Sequence, residues 1–215
     1  MLSNMCRNSL AICVALGCLV LSVPGSFAQN IAAAESTLPA QLAQAEVEQP
    51  ESALWNALRS GDHFALLRHA VAPGSGDPAG FNVDDCTTQR NLSDGGRDQA
   101  SRIGARFRSN GIVPAAVFSS RWCRCLETAR LLGLGPVTEQ PVLNSFFQDF
   151  ERREPQTRAL RHWIAKQELT APLILVTHQV NITALTNVFP QSGELVIVRR
   201  SKTGTLLVVG TIRSD

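Results

Sequence analysis

Arg68-His69, Arg124 and His178 are the residues whose types could act together on an anion. Arginine presents a fixed fork of donors that matches phosphate oxygens, and it keeps its charge near neutrality. An unperturbed imidazole titrates at about 6.5, so one histidine can be neutral and nucleophilic while another is cationic and donating. In-line attack on phosphorus needs one ring nitrogen facing the phosphorus and the other held by a hydrogen bond. A strand end flanked by backbone carbonyls can hold a ring in that way. Alone, each residue reads as a surface pair, a solvated helix residue or a helix cap. In this order along one chain, they point to phosphoryl chemistry.

The elements that must bring them together are legible from apolar patterning. Trp55 and Leu58 mark a short helix closed by Gly61. The segment 63–69 reads as a buried strand that ends on Arg68 and His69, and a Gly/Pro-rich loop follows from Ala72. Ser93 caps a helix whose apolar face is Ala100, Ile103 and Phe107, stopped by Gly111. A second strand, 115–119, runs into a helix over 123–132 that carries Arg124 near its start, where the helix dipole adds positive character. A weaker strand is expected within 136–143, and Pro155 can open a helix carrying Leu160, Trp163 and Ile164. Leu173–Thr177 is a continuous β-branched and leucine run, the pattern of a strand buried on both faces, and His178 ends it. The segments 194–200 and 205–212 read as a hairpin. Strands alternating with helices give an α/β class, a three-layer α/β/α sandwich with a mostly parallel central sheet and a C-terminal antiparallel hairpin. Ligands of such sheets bind outside the carboxyl ends of the strands, where these residues lie.

The 215-residue chain divides into three parts: a signal peptide at 1–28, a linker at 29–50 and a domain at 51–215. The start carries Arg7, an apolar run from Leu10 to Val23 and small residues up to Ala28. An uncleaved anchor and lipid attachment at Cys18 are the alternative readings of that run. Residues 29–50 are rich in Ala, Gln and Glu. Removing the signal takes away one Arg and no acid, so the formal charge falls from +2 to +1. A near-neutral chain argues against nucleic acid and acidic membranes as partners. A periplasmic or secreted location is expected, with no stable membrane insertion after signal removal. Cys86, Cys123 and Cys125 remain in the domain. One pair can form a disulfide in an oxidising compartment, and which pair is open. Three cysteines also raise a metal site, without the paired spacings of zinc.

Four segments resemble the histidine phosphatase superfamily, phosphoglycerate mutase-like, branch 1. Leu66-Leu67-Arg68-His69-Ala70 is similar to its Arg-His-Gly box. Asn91-Leu92-Ser93, Gly96-Arg97 and Gln99-Ala100 resemble its Leu-Ser/Thr…Gly…Gln-Ala helix. Ser119-Ser120, Arg124 and Glu127-Thr128-Ala129 resemble its second arginine motif, and Leu175-Val176-Thr177-His178 its second histidine motif. The resemblance runs from about Phe64 to the C-terminus. It implies that His69 is the nucleophile and that Arg68, Arg124 and His178 bind the phosphoryl group and stabilise its developing charge. It implies no metal and no cofactor, since the arginines and the second histidine supply the positive charge; a His-Glu-x-x-His motif is absent.

Two departures from the family pattern matter. Ala70 stands in place of the usual Gly, and the usual Gly/Trp context of the general acid is missing. Asp149 is the first candidate for proton donor and Glu151 the second; Glu127 is assigned to helix packing or to orienting an arginine. The Pro73–Pro78 loop lacks a P-loop ending and is expected to border the pocket. The expected function is therefore an exported, metal-independent phosphatase acting on a small-molecule or envelope phosphomonoester. A phosphohistidine-protein phosphatase and a non-catalytic phosphate-binding envelope module are the alternatives. A thiol enzyme using Cys123 or Cys125 lacks the required Cys-to-Arg spacing.

Overall fold

Leu173–Thr177 (β4) is buried at every position, and the sheet is built around it. A computed structural model describes residues 49–214; the expected signal and nearly all of the expected linker lie outside the described residues. β4 lies between His63–Arg68 (β1) and Ala116–Ser119 (β2), parallel to both, and β2 pairs in parallel with Val137–Glu139 (β3). Leu195–Arg200 (β5) runs antiparallel to β1, and Leu206–Ile212 (β6) antiparallel to β5. The order is β3-β2-β4-β1-β5-β6, so β5 alone opposes the common direction.

The period of two along each strand sorts side chains onto two cores. Ala65 and Leu67 of β1 face the helices Glu51–Leu58 (α1), Asp94–Ser109 (α2) and Cys123–Leu132 (α3), with Trp55, Phe107 and Leu132 packed there. Phe64 and Leu66 face Arg153–Ala165 (α4) and Gln179–Thr186 (α5), with Leu160, Ile164 and Ile182. This is the three-layer sandwich expected from the alternation of elements. Two local boundaries differ from the sequence reading. The third strand covers only 137–139 and a tight turn takes 141–143, because Pro141 has no N–H to continue a ladder. The helix expected to open at Pro155 opens at Arg153, so proline falls within its first turn, where a missing N–H costs nothing.

Close backbone approach sets two glycines. A Cβ on Gly96 would lie 2.1 Å from the Val71 carbonyl oxygen, and one on Gly104 would lie 2.1 Å from that of Leu132. The first lets the start of α2 sit against the chain leaving β1; the second lets α2 lie on the end of α3. Ser93 caps α2 by accepting from Gly96 N–H at 3.1 Å, and its own N–H donates to Val71 O at 3.1 Å. The segment after His69 is thereby tied to the helix beside it.

Candidate active site

Three parallel strands end side by side, and backbone hydrogen bonds extend their register past the last strand residue. His69 N–H donates to Thr177 O and Ser120 N–H to Val176 O, each at 3.0 Å. Arg68-His69, Ser119-Ser120 and Thr177-His178 are therefore held at one edge of the sheet. Ala70 N–H donates to Thr128 Oγ1 at 3.1 Å, and that hydroxyl donates to Arg124 O at 2.7 Å, which fixes α3 against the end of β1. Ala70 is fully buried and lies outside the left-handed region, so the departure from glycine carries no backbone strain.

A cleft of about 110 Å³ opens there, lined by Arg68, His69, Arg124 and His178, all four of the residues singled out for phosphoryl binding and attack. His69 Nδ1 lies 2.8 Å from its neighbour's carbonyl oxygen, Ala70 O. A carbonyl only accepts, so Nδ1 carries the proton and Nε2 keeps a free lone pair. Burial, then the charges of Arg124, Arg90 and Arg68, push the His69 pKa down to about 3 against the pull of the Ala70 hydrogen bond. The ring is thus neutral, as a nucleophile must be. His178 is held well below its ordinary value by burial first and then by Arg124 and His69. Its Nε2 bonds Ser120 Oγ at 2.8 Å, and its ring stands 5.5 Å from that of His69.

The cations are placed by backbone carbonyls and one carboxylate. Arg68 Nη1 donates to Pro190 O at 2.9 Å. Arg124, whose side chain is 3% exposed, donates from Nη1 to Asp77 Oδ1 at 2.7 Å. The Nε atoms of Arg68 and Arg124 are buried without a hydrogen-bond partner among the described residues. Such orphan donors carry a penalty of about 1–3 kcal/mol that a phosphoryl oxygen in the cleft can relieve. The start of α3 contributes less directly than the sequence implied, since its Cys123 N–H already donates to Gln89 Oε1 at 2.9 Å.

Two charged residues at the cleft, Arg90 and Asp77, were not assigned a site role from sequence. Arg90 lines it, with its guanidinium on the carbonyls of Gly76 and Ala72. Its signal was its position directly before the Asn91-Leu92-Ser93 motif. Asp77 comes from the Gly/Pro loop, which wraps the cleft through Gly74 and Gly76. Asp149 and Glu151, the proposed proton donors, are exposed and do not line the cleft; Asp149 faces Arg152 at 4.0 Å. They lie in the short turn before α4, which points their carboxylates to solvent. Glu127 accepts from Arg97 Nε at 2.7 Å and joins α3 to α2. Cys86 and Cys123 form a disulfide, and Cys125 is a buried free thiol whose pKa burial pushes up to about 12. Asp85 caps the turn that carries Cys86, and Asp84 pairs with Arg121. Among the described residues no group of three or more His, Cys, Asp or Glu is arranged to hold a metal ion, and no helix is long and apolar enough to cross a membrane.

The family model described as histidine phosphatase superfamily (branch 1) matches residues 64–163, the span that carries Arg68, His69 and Arg124. Over that span the chain is similar to the histidine phosphatase superfamily, branch 1. Solved structures share its fold at low identity. The product of an open reading frame of Mycobacterium tuberculosis is 16% identical, with TM-score 0.53, over 71% of this chain and 98% of that one. Phosphoserine phosphatase of Entamoeba histolytica, solved with phosphoserine, is 13% identical, with TM-score 0.52, over 71% and 98%. The protein histidine phosphatase SixA, solved with tungstate, is 13% identical, with TM-score 0.51, over 71% and 97%. No curated protein matches the chain in sequence.

Proposed function

We propose that this protein is exported and hydrolyses phosphomonoesters through a phosphohistidine on His69. The observation that carries the reading is the His69 ring itself: neutral, proton fixed on Nδ1 by Ala70 O, and set among three arginines. Three guanidinium groups against one carboxylate, with both imidazoles neutral, leave the cleft a net charge of +2, which suits a phosphoryl dianion. In the first half-reaction Nε2 attacks phosphorus and the leaving oxygen departs with its bond electrons. In the second, water attacks the phosphohistidine and releases inorganic phosphate. Arg68, Arg90 and Arg124 hold the equatorial oxygens while charge shifts, and donors already in place cost no reorganisation. The chemistry described needs no metal. Export is supported by the signal-like residues 1–28 and by the disulfide, a bond that persists in oxidising compartments. The substrate is read as a small molecule or envelope phosphomonoester.

The test is phosphate release by the purified protein from an aryl phosphate, with and without a chelator, beside His69→Ala. Turnover that survives the chelator and vanishes in the variant is expected. Undiminished turnover in His69→Ala would remove His69 from the mechanism. Normal phosphate-analogue binding in a native protein that never turns over would favour the non-catalytic module instead.

A further inference from the structure

We infer that Asp77 is the proton donor to the leaving-group oxygen and the base for the attacking water. The inference rests on the phosphohistidine reaction proposed above. Of the described residues lining the cleft, Asp77 carries the only carboxylate, and its side chain is 7% exposed. It stands among the groups that receive the phosphoryl oxygens: Oδ1 accepts from Arg124 Nη1 at 2.7 Å and Oδ2 from the Trp122 indole N–H at 2.8 Å.

Its backbone is held as firmly. Asp77 N–H donates to Gln148 Oε1 at 3.0 Å, and its carbonyl accepts from Gln148 Nε2 at 3.2 Å. One side-chain amide thus grips both backbone groups of the residue and joins the loop to the opposite wall, where Phe147 also lines the cleft. Gly74 and Gly76, both at positive φ, turn the loop so that Asp77 faces inward. So defined a position exceeds what a loop that merely bordered the cleft requires.

The reaction needs one proton on this carboxyl group. Without substrate, Arg124 neutralises Asp77. A bound phosphoryl group draws on the same guanidinium and sets its oxygens beside the carboxyl group. A monoester arriving as its monoanion brings that proton. As the Nε2–P bond of His69 forms and the P–O bond to the leaving group breaks, the Asp77 proton passes to the leaving oxygen. The products are an alcohol, phosphohistidine and an Asp77 carboxylate. In the second half the carboxylate takes a proton from water as its oxygen bonds phosphorus. The Nε2–P bond breaks, giving inorganic phosphate, neutral His69 and protonated Asp77. Neither His178, neutral and bound to Ser120, nor exposed Asp149 or Glu151 occupies such a position.

The experiment compares kcat/KM of the full-length protein and of Asp77→Asn on p-nitrophenyl phosphate and on benzyl phosphate. These substrates are similar in size, and their leaving groups differ widely in acidity. This ratio reports steps up to the phosphoenzyme. Nitrophenolate leaves without a proton and benzyl alcohol does not. The variant is expected to lose about 100-fold or more on benzyl phosphate and only a few-fold on the nitrophenyl ester. Equal losses on both would overturn the inference and leave Asp77 as a positioning residue for Arg124; no loss on either would overturn it too. If Asp77→Asn does not fold, the native protein decides the question over a series of substituted aryl and alkyl phosphates. A weak dependence of kcat/KM on leaving-group acidity is expected, and a steep one overturns the assignment. Absence of turnover by the native protein on every ester would instead refute the underlying phosphatase reading.

Discussion

Breaking the Cys86–Cys123 disulfide should lower the melting temperature of this protein by about 10 °C while leaving its cleft assembled at 25 °C. The bond joins residues 37 apart in sequence and encloses α2 and β2. Closing a loop of that length in the unfolded chain is worth about 4 kcal/mol in the chain-entropy account. For a domain of this size, about 2–4 °C of melting temperature follows each kcal/mol. The cleft should outlast the bond because other contacts span the same junction. Gln89 accepts from Cys123 N–H at 2.9 Å and donates to the carbonyls of Asn82 and Val83, each at 3.0 Å, and Asp77 still pairs with Arg124. The assay is thermal unfolding of the oxidised protein, the reduced protein and the Cys86→Ala/Cys123→Ala variant, each with kcat/KM on an aryl phosphate at 25 °C. Buried Cys125, with its thiol pushed up to about 12, stays protonated and does not exchange. A shift below about 2 °C would refute the loop-closure reasoning. A stable but inactive reduced protein would show that the disulfide itself places Arg124.

The pH dependence of stability has a definite sign. His69 is neutral when folded, with its pKa at about 3, so its contribution is complete above the unfolded value of about 6.5 and is lost as pH falls toward 3. His178 is shifted in the same direction. Within that window each imidazole contributes a slope of about 1.4 kcal/mol per pH unit. His69→Gln should therefore flatten the acid loss seen by urea unfolding at pH 4–6, and an unchanged slope would contradict the buried neutral ring. Arg90→Ala should reduce kcat/KM roughly 10- to 100-fold, the equivalent of one charged hydrogen bond of about 1.5–3 kcal/mol. Inhibition by inorganic phosphate should weaken in parallel; unaltered inhibition would place Arg90 outside the phosphate site.

The architecture and the core of the site were legible in the sequence for a local reason. A strand buried on both faces must be apolar throughout, so Leu173–Thr177 announces itself, and the polar residue that ends such a strand lies at the edge where ligands bind. That logic sufficed for Arg68, His69 and His178, and Arg124 followed from the next helix. Element boundaries were less legible where proline chemistry and packing compete, as at Pro141 and Pro155. Three matters were decided only in the tertiary structure. The disulfide pair depends on which cysteines the fold brings within bonding distance, and Cys86 and Cys123 meet only because the loop after β1 crosses the start of α3. Arg90 becomes part of the cleft because Gly76 and Ala72 turn their carbonyls toward it. Carboxylate placement was the least predictable, since a loop has no periodicity to say which way a side chain faces. Asp149 and Glu151 stand in sequence where a proton donor was sought, yet their turn leaves them in solvent; Asp77 reaches the cleft because Gln148, Trp122 and Arg124 together fix a glycine-flanked loop. Residue type and order specify the strand ends, whereas the direction of a loop side chain is set by contacts between segments far apart in the chain.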